Sequence, residues 1–328
     1  MSHEFESGLF VRQPAWHNLG TVLNDVPSIE EAYTLSGLDW TVSKHPVQTI
    51  SGLPLPDMYA LIRDKDQSVL NIVSSNYKPV QNIDNFEWLR PFLDNSYCTI
   101  NTAGSLKNGG VIWILCKLQG NDIPNSINTV NGEEELEHYL CLVNSHDGSS
   151  SWRVYHTTVR VVCMNTLNYS LSNKANQIRL YHNDKINTNM ELAKELMLDV
   201  TKSLTQSLSE LSTIATYNKA RHSPQYYIGL LYEKLYGKTA YMKAITDKDS
   251  SDASKLQTIS ELVANGMGNK GNTIWDVMNG YIEYLDFYAH RNSESTLNSM
   301  WFGKTKSLKE KLYTTVTSTI NSESLSFV

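Results

Sequence analysis

A chain of 328 residues has room for two domains, and 41% apolar with 19% charged residues is the balance of a globular protein with a sizeable core. The formal net charge of −6 excludes a surface that is basic all over, though not a local basic groove, because a ligand responds to the local field. The opening Met1-Ser2-His3-Glu4-Phe5-Glu6 lacks the charged head and apolar run of a signal peptide, and no stretch reaches the roughly 20 apolar residues of a membrane span, so the expectation is a cytoplasmic protein with no membrane partner.

Ser28-Ile29-Glu30-Glu31 has the form of a capping box, and Gly37 supplies a stop, which predicts a short helix from Ile29 to Ser36. Alternation at Trp40-Thr41-Val42-Ser43 then signals a strand. The apolar runs Met58 to Ile62 and Val69 to Val73, parted by Asp64-Lys65-Asp66-Gln67, read as a hairpin. A helix is expected over Asp84 to Leu89, with Pro91 disturbing its end. Strands resume at Cys98 to Asn101 and, after the Gly109-Gly110 turn, at Val111 to Leu118.

The polar segment Gln119 to Glu135 reads as an exposed loop, followed by the clearest hairpin. In it, Tyr139 to Val143 turns at His146-Asp147-Gly148 into Trp152 to Met164. After Asn187 the period changes to nearly four: Thr188 and Glu191 suggest a second capping box, with Leu192, Leu196, Val200, Leu204, Leu208 and Leu211 on one face of a helix ending near Asn218. Tyr226 to Leu235, Leu256 to Ala264 and Ile274 to Tyr288 look helical, and Thr246 to Asp252 reads as a mobile loop. The expected fold is therefore α+β, an antiparallel curved sheet with a central hairpin covered by a long helix, in a domain over 1–223 and a helical C-terminal region over 224–328.

The common chemistries find little purchase. Cys98, Cys116, Cys141 and Cys163 have no metal-ligand or disulfide spacing and read as reduced core thiols. The histidines form no close metal-ligand pair, so no metal and no cofactor is expected. His156 and Cys163, seven residues apart on one strand, would lie roughly 23 Å from each other, too far for a nucleophile–base pair. Gly266-Met267-Gly268-Asn269-Lys270-Gly271 fits the letter of a dinucleotide fingerprint, but the helical Ile259 to Val263 before it makes a helix–helix connector the better reading. No catalytic residue is assigned, and the expectation is a protein that is not an enzyme.

Charge segregation points elsewhere. From Gly148 to Asn183 there is no Asp or Glu, so the window carries +4 and the rest of the chain −10. Arg153, Arg160, Lys174 and Arg179 are interleaved with Trp152, Tyr155, Tyr169 and Tyr181, a composition suited to single-stranded nucleic acid, where cations hold phosphates and rings stack on bases. A solvated sheet face would look the same. The candidate site is Arg153, Arg160, Lys174 and Arg179, helped by Lys107 and Lys78, with Tyr155 and Tyr169 as stacking groups; Trp152 points to the opposite face from Arg153 on a regular strand.

Several segments carry a family resemblance: Pro14 to Gly20 with Trp16-His17, Asn76 to Asn82, Asn144 to Ser149, Val159 to Leu167, and the spaced Trp275, Asn279, Tyr284 and Asp286. They resemble the phage- and plasmid-related domain-of-unknown-function family number nine-three-two over nearly the whole chain. That resemblance implies a mobile-element product in a bacterial host cell and brings no established activity; Trp16 and His17 read as an anchoring pair. The order of elements also looks like that of the single-strand annealing proteins of the Rad and Erf type, which implies a homo-oligomer, a ring in that group, that holds unpaired DNA during recombination or replication. The alternative is a phage interaction protein that inhibits or redirects a host protein, with Trp275, Trp301 and Phe302 as anchors.

Overall fold

The computed structural model describes residues 5–12, 20–120, 123–160, 165–167, 177–197, 200–218, 222–289 and 304–325. The chain forms two compact units, one of residues 1–122, 139–156 and 175–201, the other of 123–138, 157–174 and 202–328. This is a different division from a single cut at Ser223, because each unit draws on segments that are far apart in sequence.

The first unit is built on a large sheet. Its strands are β1 (Phe5–Val11), β2 (Thr21–Leu23), β6 (Cys98–Leu106), β7 (Val111–Leu118), β9 (Gly132–Ser145) and β10 (Trp152–Arg160), the last two shared along their length with the second unit. The order from β10 is β10-β9-β7-β6-β1-β2, with β11 (Asn165–Leu167) and β12 (Gln177–Leu180) both on β10. β1–β2 is parallel, while β1–β6, β6–β7 and β7–β9 are antiparallel. A second sheet, β3 (Val42–Gln48), β4 (Pro54–Arg63) and β5 (Val69–Ser74), is an antiparallel meander.

Helices α1 (Ile29–Leu35), α2 (Asn82–Asp94) and α3 (Ile186–Met197) share one core with the large sheet. The predicted capping box opens α1: Glu31 N–H donates to Ser28 Oγ at 3.2 Å, and Ser28 N–H to Glu31 Oε2 at 2.9 Å. Gly37, at φ +73°, turns the chain out as expected. α2 runs past Pro91 instead of ending near it. Proline's fixed φ suits a helix, and burial of Leu89 and Phe92 on either side outweighs the lost N–H bond. On α3 the predicted stripe is corrected: Ile186, Met190, Ala193 and Met197 are buried, while Leu192 and Leu196 are 56% and 69% exposed. Thr188 lies inside this helix, and Asn183 turns the chain into it, its Oδ1 accepting from Lys185 N–H at 3.0 Å.

The second unit is mainly helical: α4 (Val200–Ala215), α5 (Pro224–Tyr236), α6 (Lys238–Thr246), α7 (Ser251–Asn265), α8 (Ile274–Glu283), which runs on into one π turn over Tyr284–Tyr288, and α9 (Lys304–Leu325). Its core gathers Leu211, Tyr227, Tyr232, Ile259, Trp275, Met278, Tyr281 and Val316. A Cβ on Gly280 would come within 2.8 Å of Val263 backbone nitrogen, so glycine there lets α8 press against α7.

Two loop expectations are corrected. Gln119 to Glu135 holds a hairpin, β8 (Ser126–Thr129) against the start of β9, because Ile127 is buried and alternates with polar neighbours. Thr246 to Asp252 is a tight turn between α6 and α7, closed by Ser250, which is buried and caps α7. No helix among the described residues is long and apolar enough to cross a membrane.

Candidate functional site

Two segments of the predicted family signature meet at the start of α2. Gln81 acts as a piece of strand, its Oε1 accepting from Val42 N–H at 2.8 Å and its Nε2 donating to Val42 carbonyl at 2.9 Å. Asn82 Nδ2 donates to the carbonyls of Leu38 and Trp40, and its Oδ1 accepts from His146 Nε2 at 3.0 Å. Because the amide nitrogen is committed to carbonyls, the Asn82 oxygen assigns the proton of His146 to Nε2. Asn85 receives the indole N–H of Trp152 at 2.9 Å, Asn144 donates to Val80 carbonyl, and Tyr77 donates to Ser145 carbonyl.

Asn82, Asn85, Asn144 and His146 are all buried. Burial, with His182 nearby, pushes the imidazolium of His146 down to about 3, so the ring is neutral at physiological pH. A neutral ring sealed from solvent cannot exchange protons with a substrate. Its work is to hold the turn between β9 and β10.

That turn is pinned on both sides of Gly148. His146 and Asp147 N–H both reach Gly110 carbonyl, and Asp147 Oδ1 accepts from Ser145 Oγ at 2.7 Å and Ser149 N–H at 2.8 Å. Ser150 N–H donates to Ser145 Oγ. The turn delivers Ser151, whose Oγ accepts from Arg153 Nε at 3.2 Å and from Arg179 Nε at 3.0 Å. Arg153 on β10 and Arg179 on β12 are register partners, so their side chains leave the same face of the ladder. Burial, with the Arg179 charge adding to it, lowers the affinity of Arg153 for its own proton.

Thus two of the six predicted cations come together. Lys78 pairs with Asp184 at 3.2 Å, and Lys107 faces Asp147 at 3.9 Å, so each has a carboxylate close by. Lys174 and Tyr169 lie outside the described residues, and of Arg160 only the backbone is described, paired with Asn165. Tyr155 is corrected as a stacking group: it is 2% exposed, and burial, with Cys141 adding to it, pushes its phenol well up. Tyr181, one residue beyond β12 and 69% exposed, is the ring that sequence reasoning counted in the window and did not select. Its signal was position, two residues after Arg179 and so on the same side of an extended chain.

In the second unit, Gly266 to Gly271 joins α7 to α8 as expected. The N–H groups of Lys270, Asn272 and Thr273, which would face a phosphate in a dinucleotide site, are taken by the Asp276 carboxylate at 3.1 to 3.2 Å. Trp275 is corrected as a surface anchor: it is 1% exposed, with its N–H on the Glu134 carboxylate. Trp16, His17, Cys163, Trp301 and Phe302 lie outside the described residues. Cys98, Cys116 and Cys141 are buried thiols.

No curated protein and no solved structure matches the chain. The family described as Domain of unknown function (DUF932) matches residues 69–302, which include the Tyr77–Asn82 and Asn144–Ser149 segments, and the chain belongs to that family.

Proposed function

We propose that this protein binds single-stranded nucleic acid through Arg153 and Arg179, with Tyr181 as the stacking ring. The observation that carries the reading is the register pair of arginines converging on Ser151 Oγ. Like charges directly opposite each other on a ladder cost a fraction of a kcal/mol to about 1 kcal/mol, a cost that an anion offsets when it binds between them. An exposed tyrosine beside them offers a face that any unpaired base can stack on. Annealing of single strands in recombination or replication, by a homo-oligomer of a phage or plasmid, is the wider role that fits such a site.

The test is fluorescence anisotropy with single-stranded and duplex oligonucleotides over a salt series. Affinity for the single strand should fall steeply as salt rises and should be lost in an Arg153→Ala/Arg179→Ala variant. Salt-independent binding, or binding that survives the double variant, would sink the proposal.

A second reading, an interaction protein that engages a host protein, draws support from the turn between β3 and β4. Its backbone is closed by Thr49 and Leu53, yet it presents Ile50 and Leu53 at 109% and 65% exposure. Co-purification that depends on Ile50 would favour it over nucleic acid.

A further inference from the structure

We infer that the Arg153–Ser151–Arg179 site takes a terminal phosphate, the monoester at the end of a single strand, in preference to the phosphodiesters along it. The inference rests on the reading of this site as a nucleic-acid site and goes one step further, to which phosphate it selects. The first argument is charge. Two guanidinium groups donate to one hydroxyl oxygen from the same face of the ladder, and Arg179 makes no ion pair among the described residues. An internal phosphodiester brings one negative charge to this pair. A terminal monoester brings close to two at neutral pH, since its second pKa is about 6.

The second argument is the inventory of donors. With Nε spent on Ser151, Arg179 keeps, among the described residues, the N–H groups of both terminal nitrogens. The Ser151 oxygen accepts from both arginines, so its own O–H is left to donate. Such a group of donors on one side suits the three unesterified oxygens of a monoester, whereas a diester offers two. The third argument is order. Ser151 is set in place by a turn whose residues are bonded to Gly110 and to one another, so little rotamer freedom is lost when an anion arrives.

The fourth is the neighbour. Tyr181 follows Arg179 by two residues, about 7 Å along an extended chain. A phosphate on the arginines would put the sugar and base of the end nucleotide within reach of that ring. The preferred ligand is then an end, phosphate first and base second.

Competition against an internally labelled strand tests this with the full chain. Three unlabelled competitors share one sequence: 5′-phosphorylated, 3′-phosphorylated and hydroxyl-ended. One phosphorylated form should compete about tenfold better than the hydroxyl-ended strand, the ratio expected when an extra charge-assisted bond forms. The preference should shrink below about pH 6, where the monoester loses one charge. Arg179→Ala should erase the preference, and Arg179→Lys, which keeps the charge and loses the planar fork, should retain part of it. Equal competition by all three strands, with binding still lost in the Arg153→Ala/Arg179→Ala variant, would overturn end selection and leave nucleic-acid binding standing. Absence of binding to any strand at low salt would overturn both. A preference that persists in Arg179→Ala would place the end elsewhere and also overturn the inference.

Discussion

Two buried polar regions solve the same problem by opposite means. Around His146, the polar groups that leave water are neutral: asparagine amides, a glutamine, an imidazole without its second proton and an indole N–H, with their N–H donors matched to a carbonyl or an amide oxygen. Around α8 and α9 they are ions: Asp276 under a fan of N–H donors, and Asp286 paired with Lys309, both nearly sealed from solvent. A neutral network costs little to bury and gives way when a partner is deleted or a proton arrives. An ion pair costs several kcal/mol to desolvate and draws much of its compensation from the opposite charge, so it fails hardest when one ion is removed.

The sharpest way to break that comparison is to unpair Lys309. Asp286→Ala should cost about 3–5 kcal/mol in urea unfolding, whereas joint replacement of both residues by Leu and Met should recover most of it. A loss under about 1 kcal/mol would mean that the lysine finds water or another acceptor. Asn82→Ala should come next, at about 2–3 kcal/mol, since it strands the carbonyls of Leu38 and Trp40 and the N–H of His146.

Acid should separate the regions as well. The unfolded chain protonates His146 near pH 6.5, but the folded chain does so only at about 3. Between those values the unfolded state binds more protons, so stability falls as pH falls, by up to about 1.4 kcal/mol per pH unit from this group. His182, also lowered by burial, acts in the same direction. Denaturation midpoints followed from pH 7 to pH 4 should show this slope, and His146→Gln should flatten it; an unchanged slope would assign the acid sensitivity elsewhere.

The smallest effect compares one device in two settings. Ser28 and Thr273 both close capping boxes, the first exposed to solvent and the second buried against Asp276. Ser28→Ala should cost about 1 kcal/mol and Thr273→Ala about 2 kcal/mol. Equal costs, read from thermal midpoints, would show that burial adds nothing to the cap.

Local signals carried well into the structure. The Ser28 capping box, the Val111–Leu118 strand and the helical reading of Gly266 to Gly271 as a connector all depend on neighbours in sequence, and all hold. What depended on remote partners was illegible. Leu192 and Leu196 keep the same spacing as a core stripe, and only the packing of α3 shows that Met190 and Met197 face inward instead. β1, with Ser7 and Gly8 at its centre, has little strand character until β6 supplies the pairing. The candidate site was half legible: a window without carboxylates located Arg153 and Arg179, but alternation alone could not tell that Tyr155 lies under cover while Tyr181 does not.

The interleaving of the two units has a consequence for synthesis. The helical unit takes the β8–β9 hairpin from residues 123–138 and holds 157–174 before its long last segment starts at 202. Those early segments leave the ribosome long before α8 and α9 exist to pack with them. At about 5–20 residues per second the wait is on the order of ten seconds or more, during which Ile127 and Leu136 have no core to enter. Contacts that must span so much chain form slowly. Expression should therefore depend on holding factors that shield nascent apolar segments, and a chain stopped at Ser223 should collect as aggregate although it contains every strand among the described residues.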